Sequence, residues 1–390
     1  MSDRSPLVAW QPVLTDHQAY TFQALAREAA VPLIAYVTAR EDSVRKLQGW
    51  TDTQVSALDR RLIPERGFLR YCYQQLRAHR TAIHFFCSPF QSPRLMLCLL
   101  LAVGLRLEFY LISEPYSPGD DHYFSDDSRR LGKIKAMLRP WLYRVYASLL
   151  RRPAAGVFAI SRLALTQYRQ AGMPSGKLFP FGYFVPSVPA PAETREAAAR
   201  PAASGLRIIF VGSLIRRKGV DVLIAAARRL FEQGCDVTVD IYGPGDGLPL
   251  RHDTPALRYC GTIPFGQAQA VMARYDLLVL PSRHDGWGVV VNEALCAGVP
   301  VVCSDTTGAG EVAESLGAGL RFSSGNAESL SDVLARLIRS PALLQSLRSA
   351  APQAARALQP EVAARYLLEV MQAPAARKAS IPSPWYPDRA

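Results

Sequence analysis

The stretch LLVLPSRHDGWGVVVNEALCAGVPVVCSD, Leu277 to Asp305, is the most decisive in the chain. It opens on a continuous apolar run and breaks at Pro281 into a turn of glycine and charge. An apolar helix pattern begins near Gly288, and a second apolar run closes the stretch. Short runs that are apolar on both faces belong to strands buried between helix layers. Strand, helix and strand in this order predict a parallel sheet with right-handed crossovers, which place every strand-to-helix loop on the ligand-binding edge. Asp285 falls in the turn at that edge, and Glu293 lies about one and a half turns into the helix. The glycines beside Asp285 let a ligand approach the backbone closely. A helix-capping aspartate is the plainer reading of Asp285. Glu293 resists a plain reading, because an unpaired carboxylate in an apolar helix between buried strands is costly.

Working outward, LRIIFVG reads as a strand, GVDVLIAAARRLFEQG as an amphipathic helix and DVTVDIYG as the next strand. The first half repeats the alternation: LVAWQPV, VPLIAYV, TAIHFF and LEFYLIS are strand patterns, separated by helical stretches such as DHQAYTFQALAREA. The class is α/β. At 390 residues the chain exceeds one ordinary core and suits two domains. Residues 186–205, PSVPAPAETREAAARPAASG, are rich in Pro and Ala without an apolar period and read as a linker. This divides the chain into a first domain (1–185), the linker (186–205), a second domain (206–358), and a C-terminal helix with its tail (359–390). The tail APAARKASIPSPWYPDRA is expected to be poorly ordered.

The loop VGSLIRRKGVD sets Arg216, Arg217 and Lys218 between a strand and a helix, flanked by Gly212 and Gly219. Unpaired N–H groups at a helix start attract anions, and neighbouring cations strengthen the pull. A phosphate or diphosphate is the natural guest, and a solvated basic loop is the alternative. Neither this loop nor YGPGDG is a P-loop or a G-x-G-x-x-G fingerprint, which disfavours NTPases and nicotinamide enzymes.

The net charge of +12 suits an anionic partner, whether nucleic acid, an anionic membrane surface or a phosphorylated substrate; a solvated basic face with no partner is the alternative. Scattered arginines without interleaved aromatics speak against nucleic acid. Gly132 to Arg152, GKIKAMLRPWLYRVYASLLRR, mixes basic residues with Leu, Trp and Tyr. It is a candidate for an anionic membrane surface, or else a core helix with a basic outer face. The apolar run Leu95–Leu105 is too short for the ~20 residues that span a bilayer and reads as a buried helix. The N-terminus lacks a signal-peptide pattern. Seven cysteines, an odd count without a C-x-x-C pair, read as reduced thiols of a cytoplasmic protein. His17, His84, His122 and His284 are scattered, so no metal site is expected.

With these motifs in hand, the chain resembles the retaining glycosyltransferases of the two-domain GT-B fold, family 4 in particular. The resemblance rests on an acidic residue followed by seven residues and Glu, after PS and before G-x-P-V-V. It also rests on VGSLIRRKGVDVLIAA, on YGPG and on LRYCGTIPFGQAQAVMARYD, all in the family's order, and covers Leu206 to about Phe322. It implies two Rossmann-like domains facing across a cleft, and a nucleotide-sugar donor, UDP- or GDP-linked, with no cofactor. By the same resemblance Lys218 and Arg217 hold the diphosphate, beside Gly212, Ser213 and Gly243. Glu293 takes the ribose hydroxyls, and backbone around Gly261 and Ile263 meets the base. Asp285, with Gly286 and the N–H groups of Trp287, Gly288 and Val289, holds the sugar. Two departures stand out: Ser213 replaces the family's usual Arg, and Asp285 its usual Glu.

In the first half, His17, His84 and Glu114 stand at strand ends or helix starts. They resemble the family's acceptor-side residues, with His17 facing the donor as a catalytic candidate, and for each a satisfied structural role is the alternative. The resemblance implies front-face attack, with the leaving diphosphate taking the acceptor's proton. The activity expected is transfer of a sugar to a glycan or lipid-linked acceptor in cell-surface polysaccharide synthesis, at the cytoplasmic membrane face. The competing readings are a sugar-nucleotide epimerase, a glycosidase (which has no use for the basic loop), and a catalytically silent GT-B module that binds membrane or nucleic acid.

Overall fold

The computed structural model describes residues 5–40, 58–89, 92–117, 129–188, 205–245 and 256–386, the side chains of 129–136 excepted. The chain folds into two parallel sheets covered by helices. The first half runs β1 (Leu7–Gln11), α1 (Asp16–Ala29), β2 (Leu33–Val37), β3 (Asp59–Leu62), α2 (Phe68–Ala78) and β4 (Ile83–Cys87). It continues through α3 (Pro93–Gly104), β5 (Phe109–Ser113), α4 (Arg129–Leu150), β6 (Gly156–Ile160), α5 (Ser161–Gln170) and β7 (Leu178–Phe181).

The second half runs β8 (Leu206–Val211), α6 (Val220–Glu232), β9 (Val237–Tyr242), β10 (Leu257–Tyr259), α7 (Ala268–Met272) and β11 (Leu277–Leu280). Then come α8 (Val289–Cys296), β12 (Val301–Ser304), α9 (Gly308–Ser315), β13 (Gly319–Phe322) and α10 (Ala327–Arg339). Three further helices follow: α11 (Pro341–Ala357), α12 (Pro360–Gln372) and α13 (Ala375–Lys378).

The strand orders are β3-β2-β1-β4-β5-β6-β7 and β10-β9-β8-β11-β12-β13. In each sheet the order reverses beside the first strand, between β1 and β4 and between β8 and β11. Loops diverge at such a switch point and leave a crevice at the carboxyl edge of the strands. In the second sheet the loops bounding that crevice are the two singled out from the sequence, after β8 and after β11.

The strands β1, β2, β5, β6, β11 and β12 are buried along their whole length, as the continuous apolar runs predict. Five strands are not read from the sequence, β3, β6, β7, β10 and β13, and two of these run against the usual strand pattern. β3 is DRRL, a short edge strand whose charges suit an unpaired rim, and β7 carries Pro180, which only an edge position tolerates. The apolar run Leu95–Leu105 forms most of α3, but only one face is buried: Leu97 and Leu100 stay exposed.

The proposed linker falls largely on 189–204, outside the described residues. Just before it, the Ser187 N–H donates to Gln359 and the Val188 N–H to Gln269. Helix α12 then returns to the first half and packs on α1.

The tail corrects the sequence-based expectation of disorder. Residues 373–386 include α13, and Lys378 bonds the Tyr110 hydroxyl of β5 at 2.5 Å. Trp385 is fully buried among Phe181, Phe184 and Tyr366, with ring centroids 6.0, 4.8 and 5.2 Å away. Tyr386 lies under the Arg162 guanidinium, which also pairs with Glu311 of α9 at 3.3 Å. The proline-rich composition hid two aromatic side chains large enough to anchor the segment.

Candidate active site

The loop after β8 turns at Gly212 and forms a single tight turn over Arg216–Lys218. It ends at Gly219, whose φ of 68° and close approach to the Pro281 carbonyl exclude a side chain. The two loops are thereby pressed together and then tied by hydrogen bonds. The Arg283 N–H donates to the Arg217 carbonyl at 2.7 Å, and the Arg217 guanidinium donates to the His284 carbonyl at 2.9 Å. Arg283 also reaches the Arg216 carbonyl at 2.8 Å and Asp221 at 2.7 Å.

Lys218 Nζ meets Asp285 Oδ2 at 2.5 Å. Burial would raise the Asp285 pKa, but the charges of Lys218 and Arg217 outweigh it and hold the carboxyl below its usual range. Asp285 is fixed from both sides of its backbone: its N–H donates to the Thr306 carbonyl, and its carbonyl accepts from Gly308. Arg217 is buried, whereas Arg216 is exposed.

Gly243 extends the same edge. Its φ is 150°, a Cβ would strike the Gly212 carbonyl, and its N–H donates to Gly261 O at 2.8 Å. Gly212, Gly243 and Gly261 therefore stack at three neighbouring strand ends, with half-buried Ser213 and Ile263 alongside.

Helix α8 begins after Gly288 (φ 89°), so the first N–H groups from Val289 onward have no carbonyl of that helix to bond. Glu293 is half-buried on α8; its carbonyl accepts from the Ala297 N–H at 3.0 Å, and its carboxylate makes no hydrogen bond or ion pair among the described residues. Burial pushes its pKa up to about 7. Across the cleft on α1 lies Tyr20, whose pKa is raised first by burial and then by the charges of Asp16 and Glu293.

The Trp287 side chain plays a part separate from its backbone N–H, one on which the sequence reading is silent. The ring is buried against Gly182 of the first half, where any Cβ would collide with it, and its Nε1 donates to Asn292 Oδ1 at 2.9 Å. Asn292 in turn donates to the Tyr183 carbonyl at 2.8 Å. These contacts join the two halves beside the donor loop.

On the facing side, the structure brings His17 and Glu114 together through Tyr183, a residue the sequence reading passed over. The Tyr183 ring lies 4.1 Å from the His17 ring, and its hydroxyl donates to Glu114 Oε1 at 2.5 Å. Glu114 Oε2 lies 3.4 Å from where a Cβ on Gly286 would sit, so the acceptor-side carboxylate abuts the acid–glycine turn. The available signal was an aromatic directly before the Pro-rich segment in FGYFVP.

His84 does not join them. It is fully buried in β4, with Nδ1 accepting from Trp10 Nε1 and Nε2 bonded to the His79 carbonyl, both at 3.1 Å. Burial lowers its pKa to about 4, the behaviour of a neutral core histidine. Adjacent residues of a strand face opposite sides of the sheet, and sequence position could not say which side His84 takes. His122 lies outside the described residues. Among those described, no group of three His, Cys, Asp or Glu side chains is placed to hold a metal.

Comparison with known proteins accords with this geometry. Residues 205–340 match the family described as glycosyl transferases group 1. The chain is 27% identical to a phosphatidyl-myo-inositol mannosyltransferase of Mycobacterium leprae, over 64% of this chain and 65% of that protein. It is 30% identical to a glycogen synthase of Mycobacterium tuberculosis, over 40% of each chain. It thus spans less than two thirds of the length of these curated relatives. Among solved structures it resembles Anabaena HepE in complex with UDP and glucose, with a TM-score of 0.69 at 16% identity over 94% of this chain and 99% of that one. It also resembles WaaG, a glycosyltransferase involved in lipopolysaccharide biosynthesis (TM-score 0.60, 14% identity, 94% and 100% coverage). At these identities the structural likeness concerns the fold, two parallel-sheet domains of the GT-B kind. Over residues 205–340, in its second half, the chain is thus similar to the glycosyl transferases group 1.

Proposed function

We propose that the protein is a retaining glycosyltransferase that moves a sugar from a nucleotide-sugar donor to a glycan or lipid-linked acceptor. The observation that carries this reading is the cationic pair Arg217 and Lys218 at the switch point, held against Asp285 and faced across the cleft by Glu114. The donor diphosphate enters between Lys218 and the start of α8, Glu293 accepts from the ribose, and Asp285 orients the sugar. As the bond from the anomeric carbon to the diphosphate oxygen breaks, charge grows on that oxygen next to Lys218 and Arg217. The acceptor oxygen attacks from the same face, and its proton passes to the departing diphosphate. Glu114 and His17, braced by Tyr183, position the acceptor. The closed contact of Trp287 with Gly182 keeps water from the donor. The structural neighbour bound to UDP and glucose supports UDP-linked sugars as the first donors to try, with GDP-linked sugars beside them. Incubation with a panel of sugar nucleotides, following nucleoside diphosphate release with and without acceptor, tests the reading. Epimerised donor with no free diphosphate would overturn it.

Two results are expected at this site. Glu293→Ala should weaken nucleoside diphosphate binding by roughly 1.5–3 kcal/mol, the worth of hydrogen bonds to a charged group. Because the carboxyl titrates near 7, wild-type affinity should rise from pH 6 to 8, and calorimetry should find this slope absent in the variant. The same carboxyl binds its proton more tightly in the folded state than at the ordinary value of 4.5. Unliganded stability therefore falls as pH rises from about 4.5 to about 7 and then levels. Glu293→Gln should accordingly melt higher than wild type at pH 8, by at most about 3 kcal/mol. Equal melting at pH 8 would place Glu293 in water.

Tyr183→Phe removes one hydroxyl and leaves the ring on His17. Transfer should fall about tenfold with donor affinity held within about twofold, the loss of one charge-assisted hydrogen bond. Unchanged turnover would mean that Glu114 needs no brace.

A further inference from the structure

Helix α4 packs one side on α5 and the core of the first half, burying Tyr146, Ala147 and Leu150. The opposite side presents Met137, Leu138, Trp141, Leu142, Val145 and Leu149, exposed by 73, 45, 59, 50, 39 and 60%. The spacing forms two i, i+4 rows, 137-141-145-149 and 138-142, so the six make one continuous stripe. Single exposed apolar side chains need no explanation, but a contiguous patch marks an interaction surface.

The charge pattern narrows the partner. From 129 to 152 the chain carries eight Lys or Arg and no Asp or Glu, and Arg144, Arg151 and Arg152 are exposed. A second copy seated on this face would bring cations against cations with no carboxylate between them. A nucleic acid would leave the aliphatic stripe unmatched. An apolar stripe with Trp near its centre and arginines around it fits the boundary between lipid headgroups and acyl chains. We propose that the outer face of α4 docks the protein on an anionic lipid bilayer, lying in the surface. No helix among the described residues is long and apolar enough to cross it.

The helix is also tied to the site. Arg139 Nη1 donates to the Ser117 carbonyl at 2.9 Å, in the segment that begins with Glu114. Docking along α4 would therefore bring the acceptor side of the cleft toward the membrane. The docking itself does not depend on the catalytic reading.

The test is flotation of the full chain with vesicles of phosphatidylcholine alone, or with about 30% phosphatidylglycerol, at low and at physiological salt. The expected result is binding at least ~10-fold tighter to the anionic vesicles, weakened by salt. The exposed-site variant Trp141→Glu/Leu142→Glu should lose that binding and keep the wild-type melting temperature. Arg144→Gln and Arg151→Gln should each weaken it about fivefold. Equal or absent binding to the two vesicle types, or full binding by the Trp141→Glu/Leu142→Glu variant, would overturn the proposal. So would a dimer in sedimentation that this variant disperses, since a second copy would then cover the face. Nucleoside diphosphate release with a soluble acceptor is read separately, so a failure of docking and a failure of the catalytic reading are distinguishable.

Discussion

Lys218→Met is expected to lower kcat by about 10²–10³-fold, the loss typical when one preorganised donor to a developing oxyanion is removed. The charge on the departing diphosphate is larger in the transition state than in the bound donor, so turnover should suffer beyond donor affinity. The structure adds a second consequence that the loop sequence does not announce. Lys218 is the direct partner of Asp285, and both side chains are largely shielded from water. Removing the cation strands a buried carboxylate, which costs about 3–5 kcal/mol in folded stability. Lys218→Met/Asp285→Asn separates the two effects: it should recover most of the stability and none of the turnover. Asp285 has a depressed pKa. The wild-type pair therefore stabilises the fold above the ordinary carboxylate value and loses that contribution only as pH falls through the folded value. Arg216→Met, at an exposed neighbour, is the control and should stay within about threefold. Steady-state diphosphate release and thermal melts measure both. Small and equal effects on turnover at 216 and 218 would reduce the loop to a charged surface.

Trp385→Ala is expected to destabilise the protein by about 3–5 kcal/mol, the range for truncating a fully buried Trp. The indole fills the space between Phe181 and Phe184, at the end of the first half, and Tyr366 on α12. Phe184 also touches Trp287, at 6.1 Å between centroids, so the cavity would open one ring away from the donor loop. Loss of the tail anchor should therefore lower transfer activity even below the melting transition, while Trp385→Phe should restore most of both. A melt unchanged in Trp385→Ala would show the tail to be an accessory.

Much of this protein is legible in its sequence. The helix pattern DHQAYTFQALAREA and the observed α1, Asp16–Ala29, coincide residue for residue, and LRIIFVG and VVVNEALCAG begin and end within two residues of β8 and α8. Periodicity and turn chemistry are local properties, which is why they survive without knowledge of the rest of the fold. The basic loop and the acid–glycine turn were recognisable for the same reason, since glycines at fixed spacing around charge report a backbone that something approaches. What failed was non-local. Strands β3 and β7 take their state from an edge position, and a charged tetrapeptide or a Pro-containing one acquires that role only by pairing with a neighbour. The tail looked structureless because its anchors are two aromatics among prolines, whose burial depends on a bed contributed by Phe181, Phe184 and Tyr366.

The sequence by itself determined the α/β class, the two-sheet division and the strand-end loops in which Lys218, Asp285 and Glu293 sit. Only the tertiary structure decided how those residues meet. Strand order places β11 beside β8, so residues 67 positions apart form the Lys218–Asp285 pair. Packing turned His84 into the core and exposed the stripe on α4, because strand facing and helix rotation are set by neighbours. The contact of the two halves made Tyr183 the link between His17 and Glu114, since its neighbour Gly182 is where the Trp287 ring comes to rest. Local sequence fixes backbone states within a few residues, whereas partners across a cleft are chosen by the strand order and side-chain volume of the whole chain.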